Sequence, residues 1–317
     1  MISLCELSKK LKSETNVALF CHIRPDGDCL GSAHALALAL KSIGIKVKVF
    51  CEDAIPERFW FLKETKDVQK EIKEEFSALV AIDCGDITRL GIFAPYFSEH
   101  KNTFNIDHHT SNNHYAKYNY VQIQASNAEN IYDLICEMDI PFTKDIANYI
   151  AMGVMTDTGN FRHKSLTPKT FLVASKMLEQ GADINKINYY MFSAQTDKRA
   201  KLFGMTMDRI RYFHDRRFAV ASILLSDLEK SGAKPDETEG FIDFVMGIKG
   251  VEVGACVLEI KKDKFKISFR SREVDVNAVA SRFGGGGHIL ASGCQIAGEY
   301  EEVIDKICFA VSRELKD

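Results

Sequence analysis

The chain is poor in proline, has no Cys-x-x-Cys pair and contains no long apolar run, and each shortage excludes something. Six prolines in 317 residues, with 46% apolar and 27% charged residues, describe a globular chain and not a disordered one. No uninterrupted apolar stretch approaches the ~20 residues that span a bilayer. The first residues, Met1-Ile-Ser-Leu-Cys-Glu-Leu-Ser-Lys-Lys10, lack the layout of a secretory signal. Nine cysteines (5, 21, 29, 51, 84, 136, 256, 294 and 308) are scattered without paired spacing. An odd count so placed argues for reduced thiols and a cytoplasmic setting. Neither repeats nor low-complexity segments are present. A net charge of −3 and a pI near 6.3 argue against a protein that coats long nucleic acid. They permit a small anionic substrate, provided cations or a local basic patch offset the charge.

What is present is a series of strand-like runs that each end in an acid or a histidine. Val17-Ala-Leu-Phe20 reads as a strand, followed by the loop Cys21-His-Ile-Arg-Pro-Asp-Gly-Asp28. From Ser32, a plausible N-cap, to Ile43 the chain is Ala/Leu-rich and apolar nearly all round, as in a helix buried against a sheet; Gly44 ends it. Lys46-Val-Lys-Val-Phe50 alternates and reads as the next strand. Strand, loop, helix, strand is a βαβ unit and implies parallel strands. Phe76 to Ile82 is a near-continuous apolar strand that ends in Asp83-Cys-Gly-Asp86, and Thr103-Phe-Asn-Ile106 leads into Asp107, His108 and His109. Helices are expected over 126–138 and 143–155, the second followed by Asp157-Thr-Gly159. Open α/β sheets bind ligands outside the carboxyl ends of their strands. Four separated segments therefore deliver His22, Asp26, Asp28, Asp83, His108 and Asp157 to one edge, with Asp107 and His109 beside them.

Each segment also has an ordinary reading: Pro25-Asp-Gly-Asp28 is good turn chemistry, and a strand-end aspartate is often a cap. It is their joint placement that favours a site. Four carboxylates and two imidazoles suit a hard-to-borderline divalent ion such as Mn²⁺ better than structural zinc. Six ligands are too many for one catalytic ion and suit two ions ~3.5–4 Å apart, the geometry of phosphate-ester hydrolysis.

Beyond Phe161 a helix is expected over 168–180, then a polar helical stretch from Ile184 to about Phe213 as the interdomain connection. The boundaries expected are 1–185, a linker at 186–213, and a second domain at 214–317. Alternation over 217–224, 251–259 and 264–270 suggests an antiparallel-leaning sheet in that domain. The lysines of 261–266 read as a charged edge strand that discourages aggregation. Phe283-Gly-Gly-Gly-Gly-His288 follows an expected helix, 276–282. Four glycines disfavour helix and strand alike but let backbone N–H groups converge on an anion. With Arg270 and Arg272 upstream and His288 adjacent, a phosphate-binding loop is expected.

The set His22-x-x-x-Asp26-x-Asp28, Asp83, Asp107-His108-His109, Asp157-Thr-Gly and Gly284-Gly-Gly-Gly-His288 resembles the DHH phosphoesterases with a DHHA1 C-terminal domain. Among them it is most similar to the bacterial nanoRNase/pAp phosphatases, over nearly the whole chain. The resemblance implies a parallel-sheet α/β domain, a smaller α/β domain with a mixed sheet, and an active-site cleft between them. It implies two Mn²⁺ ions, with Mg²⁺ or Co²⁺ as substitutes. His22 and Asp26 would bind one ion, Asp28 and His108 the other; Asp83 would bridge and Asp157 complete the set. Asp107 and His109 would orient ligands or face the phosphate. Arg270, Ser271, Arg272, Gly284, Gly285, Gly286, Gly287 and His288 would hold the substrate. The implied substrates are short oligonucleotides, linear dinucleotides and pAp, with no long nucleic acid and no membrane; a homodimer is left open. A cyclic-dinucleotide phosphodiesterase, a RecJ-like single-strand exonuclease and a nucleotide-binding regulator are the alternatives. The chain departs from the family pattern at Ala125-Ser-Asn-Ala-Glu-Asn130 and at Ile289, where a lysine often stands, and both places bear on substrate preference.

Overall fold

The computed structural model describes residues 1–315. They divide into two compact units, the first 1–194 and the second beginning at Gln195. The first contains α1 (Leu4–Lys12), β1 (Asn16–Phe20), α2 (Gly27–Ser42), β2 (Lys46–Phe50), β3 (Ala78–Ile82), α3 (Ala94–Glu99), β4 (Thr103–Asp107), β5 (Tyr118–Val121), α4 (Asn127–Glu137), α5 (Lys144–Asp157), α6 (Pro168–Glu179) and α7 (Ile184–Asn188). Its five strands run parallel in the order β2-β1-β3-β4-β5. Side chains alternate across a strand, so β1 feeds two cores at once. Val17 and Leu19 join the helices α1, α2, α4 and α5 on one face, while Ala18 and Phe20 meet Phe50, Phe93 and Phe97 on the other. This two-sided burial is why β3 reads as a continuous apolar run, with every residue buried.

Helix α2 is apolar all round because α4 and α5 cover the side that the sheet leaves. The crossing with α5 is close: a Cβ on Gly31 would lie 2.5 Å from the Tyr149 carbonyl oxygen, and one on Gly153 would lie 2.8 Å from Asp28 Oδ1. Small residues at both crossing points let the start of α2 and the last turns of α5 carry their acids to one place.

The second unit contains α8 (Asp197–Asp208), β6 (Arg211–Phe213), β7 (Phe218–Ile223), α9 (Leu225–Ser231), α10 (Phe241–Gly247), β8 (Val253–Lys261), β9 (Lys264–Ser271), α11 (Val276–Ser281), β10 (Gly286–His288), β11 (Ala291–Ala297) and α12 (Tyr300–Ser312). Its sheet is mixed, in the order β10-β11-β9-β8-β7-β6, with β7 and β8 parallel and the other pairs antiparallel. Phe265, Ile267 and Phe269 pack on α11 and α12; the opposite face is partly covered by α8, α9 and α10. Among the described residues, no helix is long and apolar enough to cross a membrane.

Four sequence expectations need correction. Helix α2 starts at Gly27, five residues before the expected cap Ser32, because the Asp26 carboxylate accepts hydrogen bonds from the Asp28 and Cys29 N–H groups. The stretch 184–213 is not one helix: a π-helical turn at Tyr189–Ser193 follows α7, and 211–213 is strand β6. Strand β9 is central, not an edge, because β11 and β8 pair on its two sides. Finally, Gly286 and Gly287 do lie in a strand. Pairing with β11 supplies the order that glycine lacks, and a Cβ on Gly287 would sit 2.5 Å from the Ala291 carbonyl oxygen.

Candidate metal centre and substrate face

The loops leaving β1, β3 and β4 meet the N-terminal turn of α2 and the C-terminal end of α5. The site begins with Asp83, the first residue beyond β3. Its φ of 58° turns the chain so that the carboxylate points across the strand ends. Its Oδ1 is buried and accepts no hydrogen bond. It lies 3.4 Å from His108 Nε2, and Oδ2 lies 3.8 Å from His22 Nε2. His22 Nε2 is also 3.6 Å from Asp26 Oδ2. His108 Nε2 is 3.8 Å from Asp28 Oδ2 and 3.7 Å from Asp157 Oδ2. The six side chains expected to meet do meet.

The donor set fits divalent cations. His108 Nδ1 lies 3.1 Å from the Gln124 carbonyl oxygen and His22 Nδ1 lies 2.8 Å from that of Ile23. A carbonyl only accepts, so each contact calls for a proton on Nδ1 and leaves the Nε2 lone pair facing the carboxylates. That is how metal-binding imidazoles are held. Asp28 is gripped from behind by the amino end of α4: the N–H groups of Asn127 and Ala128 donate to it at 2.6 and 2.9 Å. Three trios within the cluster, His22-Cys29-Asp83, Asp83-His108-His109 and Asp28-His108-Asp157, bring their donor atoms within 4.8 Å of one another.

The charges of the site's own groups act strongly on one another. Burial, with Asp83 and Asp157 close by, pushes Asp28 well above the ordinary carboxylate range. Asp157 is pushed up to about 6, by burial first and then by Asp83 and Asp26. Burial opposes charge on His108, yet Asp83 and Asp28 raise it to about 10. Like charges crowded in a buried place hold protons unless a cation takes their place.

Asp107 is fully buried and does not face the cluster directly. It accepts hydrogen bonds from Asn112 Nδ2 at 2.5 Å and from His109 Nδ1 at 2.7 Å. That bond raises the pKa of His109, and the same partners hold Asp107 low against the effect of burial. With Nδ1 so engaged, His109 has its Nε2 available to a cavity of about 280 Å³. The cavity is lined by His22, Asp26, Asp83, Gly85, Asp86, Arg89, His108, His109, Ser111 and Asp157.

The structure separates the residues expected to hold substrate in the second unit. Arg270 pairs with Ala291, and Ala291 with His288, so Arg270 and His288 project from the same face of the sheet. Lys266, Ser268 and Arg270 line a cavity of about 350 Å³ on that face. Ser271 Oγ donates to the Val274 carbonyl, and the Arg272 guanidinium donates to the carbonyls of Val251 and Met246. Gly284 and Gly285 lead into β10, with a Cβ on Gly285 only 2.2 Å from the Gly293 carbonyl oxygen. Sequence reasoning missed Arg89 and the α4 amides. The first is a lone basic residue in a short, mostly apolar 3-10 helix, Ile87–Phe93, and backbone donors carry no residue signature.

The DHH family, N-terminal domain, matches residues 16–154, and the DHHA1 domain matches residues 215–317. The protein belongs to the DHH phosphoesterases that carry a DHHA1 domain. Over 95% of its length it is 29% identical to the bifunctional oligoribonuclease and PAP phosphatase NrnA of Thermus thermophilus, covering 91% of that protein. It is 25% identical to the protein of that name from Bacillus subtilis, over 92% of each chain. Among solved structures it is similar to an exopolyphosphatase-related protein from Bacteroides fragilis, with a TM-score of 0.86, 25% identity, and coverage of 98% of this chain and 95% of that one.

Proposed function

We propose that the protein hydrolyses short oligonucleotides, including linear dinucleotides such as pGpG and pApA, to mononucleotides, and dephosphorylates pAp to AMP. His22, Asp26, Asp28, Asp83, His108 and Asp157 would hold two divalent cations of the manganese type. The observation that carries this reading is the convergence of those six side chains, with a buried carboxylate oxygen of Asp83 left without a hydrogen-bond partner. When bound, such cations supply Lewis acidity at a phosphoryl oxygen and acidify water.

The side chains around them do the rest. The Asp107–His109 pair aims the imidazole and favours its protonated form, which suits its Nε2 to donate a proton to the leaving oxygen. The Asn112 bond fixes Asp107 and thereby the ring. Arg270 and His288, on one sheet face, are the proposed contacts for the nucleotide and its phosphate. The named activities of the Thermus and Bacillus relatives support this substrate class.

The test is a panel offered to the purified protein with Mn²⁺: a labelled 5-mer RNA, pGpG, pAp, cyclic di-AMP and a long single strand. Turnover of the 5-mer, pGpG and pAp is expected. Turnover of the long strand alone, or of cyclic di-AMP alone, contradicts the proposal.

A further inference from the structure

Arg89 stands in the wall of the 280 Å³ cavity among four aspartates and three histidines. Its main chain is pinned: its carbonyl accepts from the Ile23 N–H at 2.8 Å, and three residues on, Ile92 N–H donates to Glu52 Oε2 at 2.6 Å. Its side chain is exposed. The nearest acid in sequence, Asp86, is occupied by Thr88 and Asn113. Among the described residues, the hydrogen-bonding contact of the guanidinium is with a ring: Nη2 lies 3.0 Å from His22 Nδ1.

That contact competes with another. A guanidinium only donates, so the Arg89 contact needs a lone pair on Nδ1, whereas the Ile23 carbonyl 2.8 Å from the same atom needs a proton there. The neutral ring satisfies one or the other. If Nδ1 accepts from Arg89, the ring proton moves to Nε2, which faces Asp26 and Asp83 and could not then ligate a cation. If Nε2 ligates, Nδ1 bears the proton, bonds Ile23, and turns a donor toward the Arg89 donor.

We propose that Arg89 is a phosphate-contacting residue, its guanidinium the cavity-wall donor that can exchange the His22 ring for the substrate's phosphoryl group. This rests on the nucleotide-hydrolase reading above. A fixed backbone, an exposed planar cation and a cavity wall are what two-point recognition of a phosphate needs.

The test uses AMP as the probe and calorimetry on the full chain, with and without Mn²⁺, for wild type, Arg89→Ala and Arg89→Lys. Arg89→Ala is expected to weaken AMP binding at least tenfold in the Mn²⁺-loaded protein, with wild-type manganese content by atomic absorption. Arg89→Lys is expected to recover part of the loss, and without Mn²⁺ the three proteins should not differ. AMP affinity within twofold of wild type in loaded Arg89→Ala overturns the inference. So does loss of manganese from that variant, which would make Arg89 a support for His22. Wild type that neither binds AMP nor turns over any nucleotide overturns the substrate reading itself, a result separable from failure of the variant alone.

Discussion

A buried histidine far from the strand ends offers a quantitative test of the fold. His34 lies in α2, 3% exposed, with its ring stacked on Tyr149 at a centroid distance of 5.1 Å and no hydrogen-bond partner for Nε2. Burial, helped by Lys41, pushes its pKa down to about 3. In the unfolded chain it returns to about 6.5. Below that pH the unfolded chain binds a proton that the folded chain refuses until near pH 3. The stability that the neutral ring provides is therefore complete above pH 6.5 and is lost as pH falls through that window. Between pH 7.5 and pH 5.0 the loss works out at about 2 kcal/mol from the shift in proton binding. His34→Phe keeps a ring against Tyr149 and removes the titration. The chain has a single tryptophan, Trp60, in the first unit, so urea unfolding followed by its fluorescence reports that unit. With chelator present in both proteins, the remaining groups cancel in the difference. Wild type should lose about 2 kcal/mol relative to the variant between the two pH values. Parallel stability–pH curves would refute the argument.

Other outcomes follow from the same geometry. Asp83→Ala and His108→Ala should abolish every hydrolytic activity together, and also the stabilisation by Mn²⁺, which for wild type is about 2.7 kcal/mol at a hundred times the dissociation constant; a wild-type Mn²⁺ effect in either variant contradicts the shared site. Gly153→Ala would place a methyl 2.6 Å from Ala128 Cβ and 2.8 Å from Asp28 Oδ1. It should cost roughly 1–3 kcal/mol in urea unfolding and weaken Mn²⁺ binding, and unchanged values would show that the α2–α5 crossing is slack. Arg270→Ala and His288→Ala should each raise KM for the 5-mer roughly tenfold or more while manganese content stays intact, since charge-assisted hydrogen bonds contribute roughly 1.5–3 kcal/mol. A fall in kcat with unchanged KM would assign them another role.

The βαβ pattern, the strands 46–50 and 103–106, and the six ligand-type side chains were all legible along the chain. Periodicity and strand-end placement are local signals, and a parallel sheet converts them into convergence by necessity. Short strands with mixed composition were not legible. Strand β5, Tyr118–Val121, has strand-forming Tyr and Val but only four residues, and the glycine strand β10 exists because β11 pairs with it, not because its residues favour extension. The start of α2 was misplaced because Asp26, a metal-type side chain, also serves as its cap.

The sequence by itself determined which side chains could form the site and that they would reach the carboxyl edge of one sheet, because residue type and placement at a strand's carboxyl end are written along the chain. Only the tertiary structure decided how they are held. Asp28 is fixed by main-chain amides of a helix about a hundred residues away, and His22 is contested between Arg89 and the Ile23 carbonyl. Arg272, a basic residue like Arg270, spends its guanidinium on two carbonyls. Backbone donors and acceptors are the same at every position, so which of them a side chain meets is set by packing alone.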